Sequence, residues 1–342
     1  MDVKKEKLED KKLIKEDHIL TVLLITLAIP ISMSMWIINI IYSKLLLNTE
    51  GLDDPVIISP GRWLAACLIP VPFALFGYKR KSLNMSGALF GFVVAFVLTL
   101  SNFCFLIDMM VFFLSSSKAT HFRPQLKKKF EADFKEGGQR NWIQVLCNGG
   151  MATQLALLYL LDVGASERPI DFVKDYRSSW LSIGVLGVFA CTNGDTWASE
   201  LGTVLSNSDP ILITTWKRVP KGTNGGISLI GTVVSTLGGL AIGLSHYLTI
   251  IYFADRSLLM YAPPQWPIIF YGAFAGFLGS LIDSILGATL QYSGLDKDGK
   301  IVSHSSLTVK HISGKNVLDN HSVNLLSTII MGLLMPSMVK LL

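Results

Sequence analysis

Charge is scarce in this sequence. Asp, Glu, Lys and Arg make up 16% of its 342 residues while half are apolar, whereas soluble globular domains carry about 25% charged residues. A membrane protein is therefore expected before any motif is read. Cysteine is sparse as well: Cys67, Cys104, Cys147 and Cys191 all lie in apolar stretches without paired metal-ligand spacing, as small packing residues do. No two of the six histidines stand at ligand spacing, so no zinc site is expected. The Gly-x4-Gly-Lys-Ser/Thr spacing of a P-loop is missing, and so are the spaced acids after Asp-Gly that mark CDP-alcohol transferases. Nothing points to a nucleic-acid partner.

Long apolar runs are plentiful. Residues 19–41 contain no charge and reach the length of about 20 residues that crosses a hydrocarbon core. They are too long, and lack the small-residue cleavage site, for a removed signal peptide. Further runs occupy 63–78, 85–114, 142–161, 180–205, 227–253, 268–290 and 323–342. If 85–114 is two short helices meeting near Ser101 and Asn102, most of the 30 Lys and Arg residues fall on one side, the cytoplasm by the positive-inside rule. The acidic stretch of Glu50, Asp53 and Asp54 falls on the other. The expectation is an all-α, polytopic membrane protein of about nine transmembrane helices: a cytoplasmic tail over 1–18 and a single membrane domain over 19–342, surrounded by lipid. Two glycosylation tripeptides, Asn84-Met85-Ser86 and Asn320-His321-Ser322, sit at the predicted cytoplasmic face and are expected to stay unused.

Internal helix-loop-helix repeats appear near 103–161, 180–253 and 268–342. Gly187, Cys191, Asp195 and Ser199 are spaced four apart, and so are Ala275, Gly279, Asp283 and Gly287. Such spacing places each acid on one helical stripe among small residues, facing into the bundle. Each acidic run is followed by Gly-x-Asn, and polar residues continue at four-residue steps: Asn224, Ser228, Thr232 and Asn316, Asn320, Asn324. A weaker copy reads Arg140, Gln144, Asn148; the Asp108 before it has Cys104 and Phe112 as its i±4 neighbours, so that acid is not equated with the other two. All three loops would face one compartment, with helix N-termini suited to anions such as phosphate.

Thr192-Asn193-Gly194-Asp195-Thr196-Trp197-Ala198-Ser199-Glu200 gathers two acids and several oxygen ligands at a span end, a chemistry that holds Mg²⁺ together with water and phosphate. Lys217, Arg218 and Lys221 precede a glycine-rich helix entry, Gly222-Thr223-Asn224-Gly225-Gly226, which suits phosphate but equally a loop drawn to anionic lipid. Lys118 can be read as a snorkelling helix-end lysine, and Arg140 either as a phosphate fork or as an ordinary positive-inside residue. The stripe Gly231, Ser235, Gly239, Gly243 reads as a close helix contact, with a homodimer seam as the alternative.

Gly137-Gly138-Gln139-Arg140-Asn141-Trp142, Gly194-Asp195-Thr196-Trp197-Ala198-Ser199-Glu200, Gly222-Thr223-Asn224-Gly225-Gly226 and Asp283-Ser284-Ile285-Leu286-Gly287-Ala288 together closely resemble the transmembrane protein 19 family of animals, the domain-of-unknown-function 92 integral membrane proteins. More distantly the chain is similar to the plant and cyanobacterial phytyl-phosphate kinase. The resemblance runs from Ser59 onward. It implies a kinase acting on a membrane-embedded isoprenoid monophosphate, with a nucleoside triphosphate such as CTP as donor, in the endoplasmic reticulum or another endomembrane. On that reading Asp195, Asp283 and Glu200 hold Mg²⁺, and Lys221, Arg140 and Lys118 neutralise phosphate. Asn193, Gly222, Asn224, Gly225, Asn316 and Asn320 complete the phosphate site. A transporter or flippase of a phosphorylated lipid or small anion is the alternative, since tandem repeats and intramembrane acids also suit alternating access.

Overall fold

The computed structural model describes residues 27–43, 45, 58–127 and 138–341. The 1–18 tail, the acidic stretch at 50–54 and residues 128–137 of one polar loop lie outside the described residues. The chain divides into two compact units, Met1–Pro72 and Phe73–Leu342. In the first, helix α1 (Leu27–Ser43) covers the described part of the predicted 19–41 span. Its Asn39 side chain accepts from the Ile58 N–H at 3.1 Å, ahead of α2 (Pro60–Leu68), whose first turn is capped by Ser59. Helix α3 (Pro70–Lys79) begins on a proline, where the missing N–H costs no helical bond.

The second unit is a helical bundle. The apolar run beginning at Met85 is broken as expected: α4 (Met85–Ser101) ends at Asn102, whose backbone is extended (φ −159°, ψ 132°) and whose side chain caps α5 (Phe103–Thr120). Glu167 accepts from the Phe103 N–H at this junction, 2.9 Å away. The two helices form a hairpin. Asn84 at the start of α4 donates to the Arg140 carbonyl, and the Arg140 side chain donates to Ser116 and Ser117 near the end of α5. After α6 (Pro124–Lys127), α7 (Trp142–Asp162) starts in a reciprocal capping box between Asn141 and Gln144.

Helix α8 (Tyr176–Trp197) is the hub, packed against α5, α7, α10 (Leu229–Phe253), α12 (Pro267–Leu290) and α13 (Asn320–Leu341). Nearly all its residues from Ser178 to Gly194 are buried, and its glycines let neighbours close in: Gly184 and Gly187 lie against the Met331–Pro336 stretch of α13. Gly239 and Gly243 of α10 meet Gly272 and Gly276 of α12 so closely that a methyl group on Gly276 would sit 2.6 Å from the Ser235 carbonyl oxygen. The small-residue stripe of α10 therefore serves a contact within this chain. Beyond Trp197, a π-helical turn (Ala198–Gly202) and the short α9 (Thr203–Leu205) lead into a two-stranded sheet, β1 (Ile211–Leu212) with β2 (Gly226–Ile227), antiparallel. Helix α11 (Arg256–Tyr261) joins α10 to α12, and α12 is followed by a three-stranded antiparallel sheet ordered β4 (Ile301–Val302), β3 (Ser293–Leu295), β5 (Lys310–Ser313).

Among the described residues six helices are long and apolar enough to cross a membrane: Pro60–Lys79, counted as one, together with α5, α7, α10, α12 and α13. Helices α1 and α4 are apolar but shorter. Helix α8 is long enough but carries Ser, Thr, Cys, Asn and Asp where the others carry Leu and Ile. The protein is a multi-pass integral membrane protein whose most polar long helix is also its most enclosed.

Candidate functional site

One end of the bundle opens into a cavity of about 380 Å³. Its walls come from the end of α8 and the π turn, the Lys221–Ser228 segment and start of α10, the end of α12, and the starts of α7 and α13. The described residues that connect or flank α5 and α7, α8 and α10, and α12 and α13 thus include cavity-lining members in all three cases. Asp195, Asp283, Arg140, Lys221, Gly222, Asn224, Gly225 and Asn320 all line this cavity, with Glu200 at the π turn.

The two acids arrive by the spacing that named them. Cys191 and Gly279, one turn before each, are in direct contact, and a methyl on Gly279 would lie 2.6 Å from the Cys191 Cβ. That contact sets the acidic turns of α8 and α12 side by side. Each carboxylate has a hydroxyl partner from the next helix: Ser280 of α12 faces Asp195, and Ser327 of α13 donates to Asp283 Oδ2 at 3.1 Å. Neither acid has a cationic side-chain partner among the described ion pairs. Two neighbouring carboxylates lined by hydroxyls and amides form a donor set that fits a hard divalent cation completed by water and phosphate oxygens.

Arg140, just before α7, also lines the cavity. Its Nη1 and Nη2 donate to Ser117 and Ser116 Oγ at 3.2 and 3.1 Å, and its guanidinium stacks 5.8 Å from the Phe112 ring. Burial lowers its pKa to about 10, which leaves it a full cation at neutral pH. Lys221 Nζ donates to the Ser206 carbonyl and, at 3.4 Å, to that of Thr203, which holds the ammonium on the wall. Gly225 has φ +77° and lies directly on Ala288 and the Ser284 carbonyl, so only glycine fits where this loop meets α12. Asn148 and Asn324 bond each other at 3.2 Å, joining α7 to α13.

Several predicted residues are placed elsewhere. Lys118 is exposed at the end of α5 and does not line the cavity. Asn316 is exposed in the segment before α13, which begins only at Asn320, so the predicted Asn316 face is not helical. Asn193 is wholly buried: its amide donates to the Gly238 carbonyl and its oxygen accepts from Ser115, both at 2.8 Å. It sits two residues from Asp195, about 200° around the helix, so the two cannot share a face. Asn224 lines the cavity from a turn and not from a helix start. Its amide donates to the Tyr292 carbonyl, and α10 begins at Leu229 under a Ser228 cap. Glu200 lies at the rim but is ion-paired with buried Lys127, whose ammonium also donates to the Thr120 carbonyl. Among the described residues no three His, Cys, Asp or Glu side chains cluster as metal ligands, and Asp195 and Asp283 are the two expected ligands that lie side by side.

Sequence reading missed Ser280, Ser327, Gln291 and Lys127. Ser280 stands three residues before Asp283 and Ser327 three after Asn324, so both were reachable by continuing the helical stripes. Lys127 gave no such signal.

Residues 68–332 match the family profile described as integral membrane protein DUF92. Protein PGR of Arabidopsis thaliana is 42% identical over 274 residues, covering 80% of this chain and 94% of that one. The uncharacterized membrane protein MJ0933 of Methanocaldococcus jannaschii is 28% identical over 80% of this chain and 92% of its own. The uncharacterized membrane protein sll0875 of Synechocystis is 29% identical over 53% of this chain and 61% of its own. No solved structure matches. With a family profile spanning the bundle and a plant relative aligned along most of both chains, this protein belongs to the DUF92 family of integral membrane proteins.

Proposed function

We propose that this protein is a phosphotransferase, a kinase that moves a phosphoryl group from a nucleoside triphosphate to an isoprenoid monophosphate at the cytoplasmic face of the endoplasmic reticulum or a related endomembrane. The observation that carries this reading is the cavity at one end of the bundle that Asp195, Asp283, Arg140 and Lys221 line together. Phosphoryl transfer asks a protein mainly for positioning and charge neutralisation, and this arrangement supplies both signs of charge. An oxygen of the acceptor monophosphate attacks the terminal phosphorus of the donor, and the nucleoside diphosphate departs with the bridging oxygen. Arg140, braced by Ser116 and Ser117, neutralises phosphate oxygens through its planar fork, and Lys221 does so as a point charge. Asn224, Asn320 and the backbone of Gly222 to Gly226 orient the phosphates. Asp195 and Asp283 would hold Mg²⁺, which supplies further charge neutralisation when bound.

A transport reading is less well supported. One residue before Asp195 the carbonyls of Gly276 and Ser235 close on α8, each 2.7–2.8 Å from where a methyl on Gly194 would sit, so α8, α10 and α12 pack backbone to backbone beside the acid and leave no passage at that contact.

The test is incubation of the purified protein with labelled nucleoside triphosphates and a panel of prenyl monophosphates, alongside Asp195→Asn and Asp283→Asn. Turnover of one acceptor by the wild type and its loss in both variants is expected. Failure of every acceptor, or undiminished turnover in both variants, would sink the assignment.

A further inference from the structure

Away from the cavity, α5, α8 and α10 enclose a second ionisable group that the proposed reaction does not use. His246 of α10 bonds Asp108 of α5 through Nδ1 to Oδ2 at 2.6 Å. Its Nε2 lies 3.1 Å from Ser182 Oγ of α8, and Ser245 Oγ donates to the other Asp108 oxygen at 3.1 Å. Asp108 and His246 are 0% exposed and Ser182 is 2% exposed. Asp108 is seven residues from Ser115, about 10 Å along α5 from the layer where Ser115 meets Asn193. Between the two layers stand Phe112 and Phe189, ring centroids 6.2 Å apart, and Ile242.

We infer that Asp108 and His246 form a reversible proton-binding site inside the bundle, separate from the phosphate cavity. The hydrogen bonds accommodate both states without displacing a heavy atom. With a neutral imidazole, Nδ1–H donates to Asp108 and Nε2 accepts from the Ser182 hydroxyl; with an imidazolium, Nε2–H donates to the same oxygen. The carboxylate with a neutral ring carries net charge, while with one more proton the pair is neutral. Ionisable groups sealed at such depth are costly and mark function more often than packing. Few other titratable groups face the pair. Phe105 of α5 lies 6.4 Å from the His246 ring, with Tyr159 of α7 edge-on behind it and Cys104 alongside. At this level α8 and α12 contribute no Asp, Glu, Lys or Arg, and Tyr271 is the only titratable residue in that part of α12.

Replacing His18, His121, His304, His311 and His321 by Gln leaves His246 as the sole histidine. Nitrogen NMR of this full-length protein, labelled at histidine and followed from acid to alkaline pH, should show imidazole signals moving reversibly between two limits. Asp108→Asn in the same background should abolish that movement. Signals fixed across the range, or an unchanged titration in Asp108→Asn, overturn the site. Should the five-fold variant fail to fold, the wild-type spectrum minus that of His246→Gln gives the same readout.

Discussion

The bundle holds acidic groups in two settings. At one end Asp195 and Asp283 share an open cavity, each with a hydroxyl for partner and, among the described ion pairs, no cation on its carboxylate. Deeper along α5, Asp108 is sealed from solvent with His246 on one oxygen and Ser245 on the other. The sealed acid has its counterpart built in, whereas in the proposed reaction the open pair would meet one in the Mg²⁺ it holds. An acid in a membrane bundle is thus read by what it faces, and hydropathy alone does not separate the two cases.

Experiments can pull the two settings apart. Removing one member of the sealed pair should do most damage to the fold: Asp108→Asn is expected to cost about 3–5 kcal/mol, as breaking buried pairs does, seen as a large drop in thermal midpoint. Asp195→Asn or Asp283→Asn should act the opposite way, lowering turnover by about 10²–10³, the range for losing one electrostatic group of an active site, with little change in midpoint. Equal destabilisation by all three substitutions would erase the distinction. Gly276→Val, which drives a side chain into the Ser235 carbonyl, should cost about 1–3 kcal/mol through overpacking and lower stability and activity together. Arg140→Lys keeps the charge but loses the fork onto Ser116 and Ser117, and should weaken phosphate binding roughly tenfold in calorimetry, or about 1.4 kcal/mol. The smallest effect belongs to Asp319, outside the spans, whose carboxyl is held below its usual range chiefly by the Ser322 hydroxyl and N–H. A depressed folded pKa means that this stabilisation is complete above the unfolded value near about 4 and is lost as pH falls through the lower folded one. Asp319→Asn should therefore flatten only the acid limb of a stability profile.

Periodicity revealed the parts of the site that lie on continuous helices. Asp195 and Asp283 were legible because small residues at four-residue steps leave an acid only one direction to face. The break at Asn102 was legible because a run from Met85 through Leu114 would otherwise scramble the charge asymmetry. Loops hid the rest. The Asn224 and Asn316 steps imitate a helical face, but the Gly225 turn and strand β2 separate Asn224 from the helix that starts at Leu229, and Asn316 lies in a turn before the helix that starts at Asn320. The ion pair of Glu200 was not legible because its partner, Lys127, lies 73 positions away in sequence and a π turn carries the glutamate. His246 gave no paired spacing, since its partner lies 138 residues earlier on another helix.

The polarity of α8 also bears on how the chain is made. A segment with Asn193, Asp195 and so many small polar residues partitions poorly into lipid by itself, since polar and ionisable side chains are costly to place in hydrocarbon. Helices α5 and α7 emerge from the ribosome before α8, while α10, α12 and α13 emerge after it. Helix α8 therefore depends for its cover on helices that precede and follow it in the chain, and α13, made after it, is the one that closes on Gly184 and Gly187.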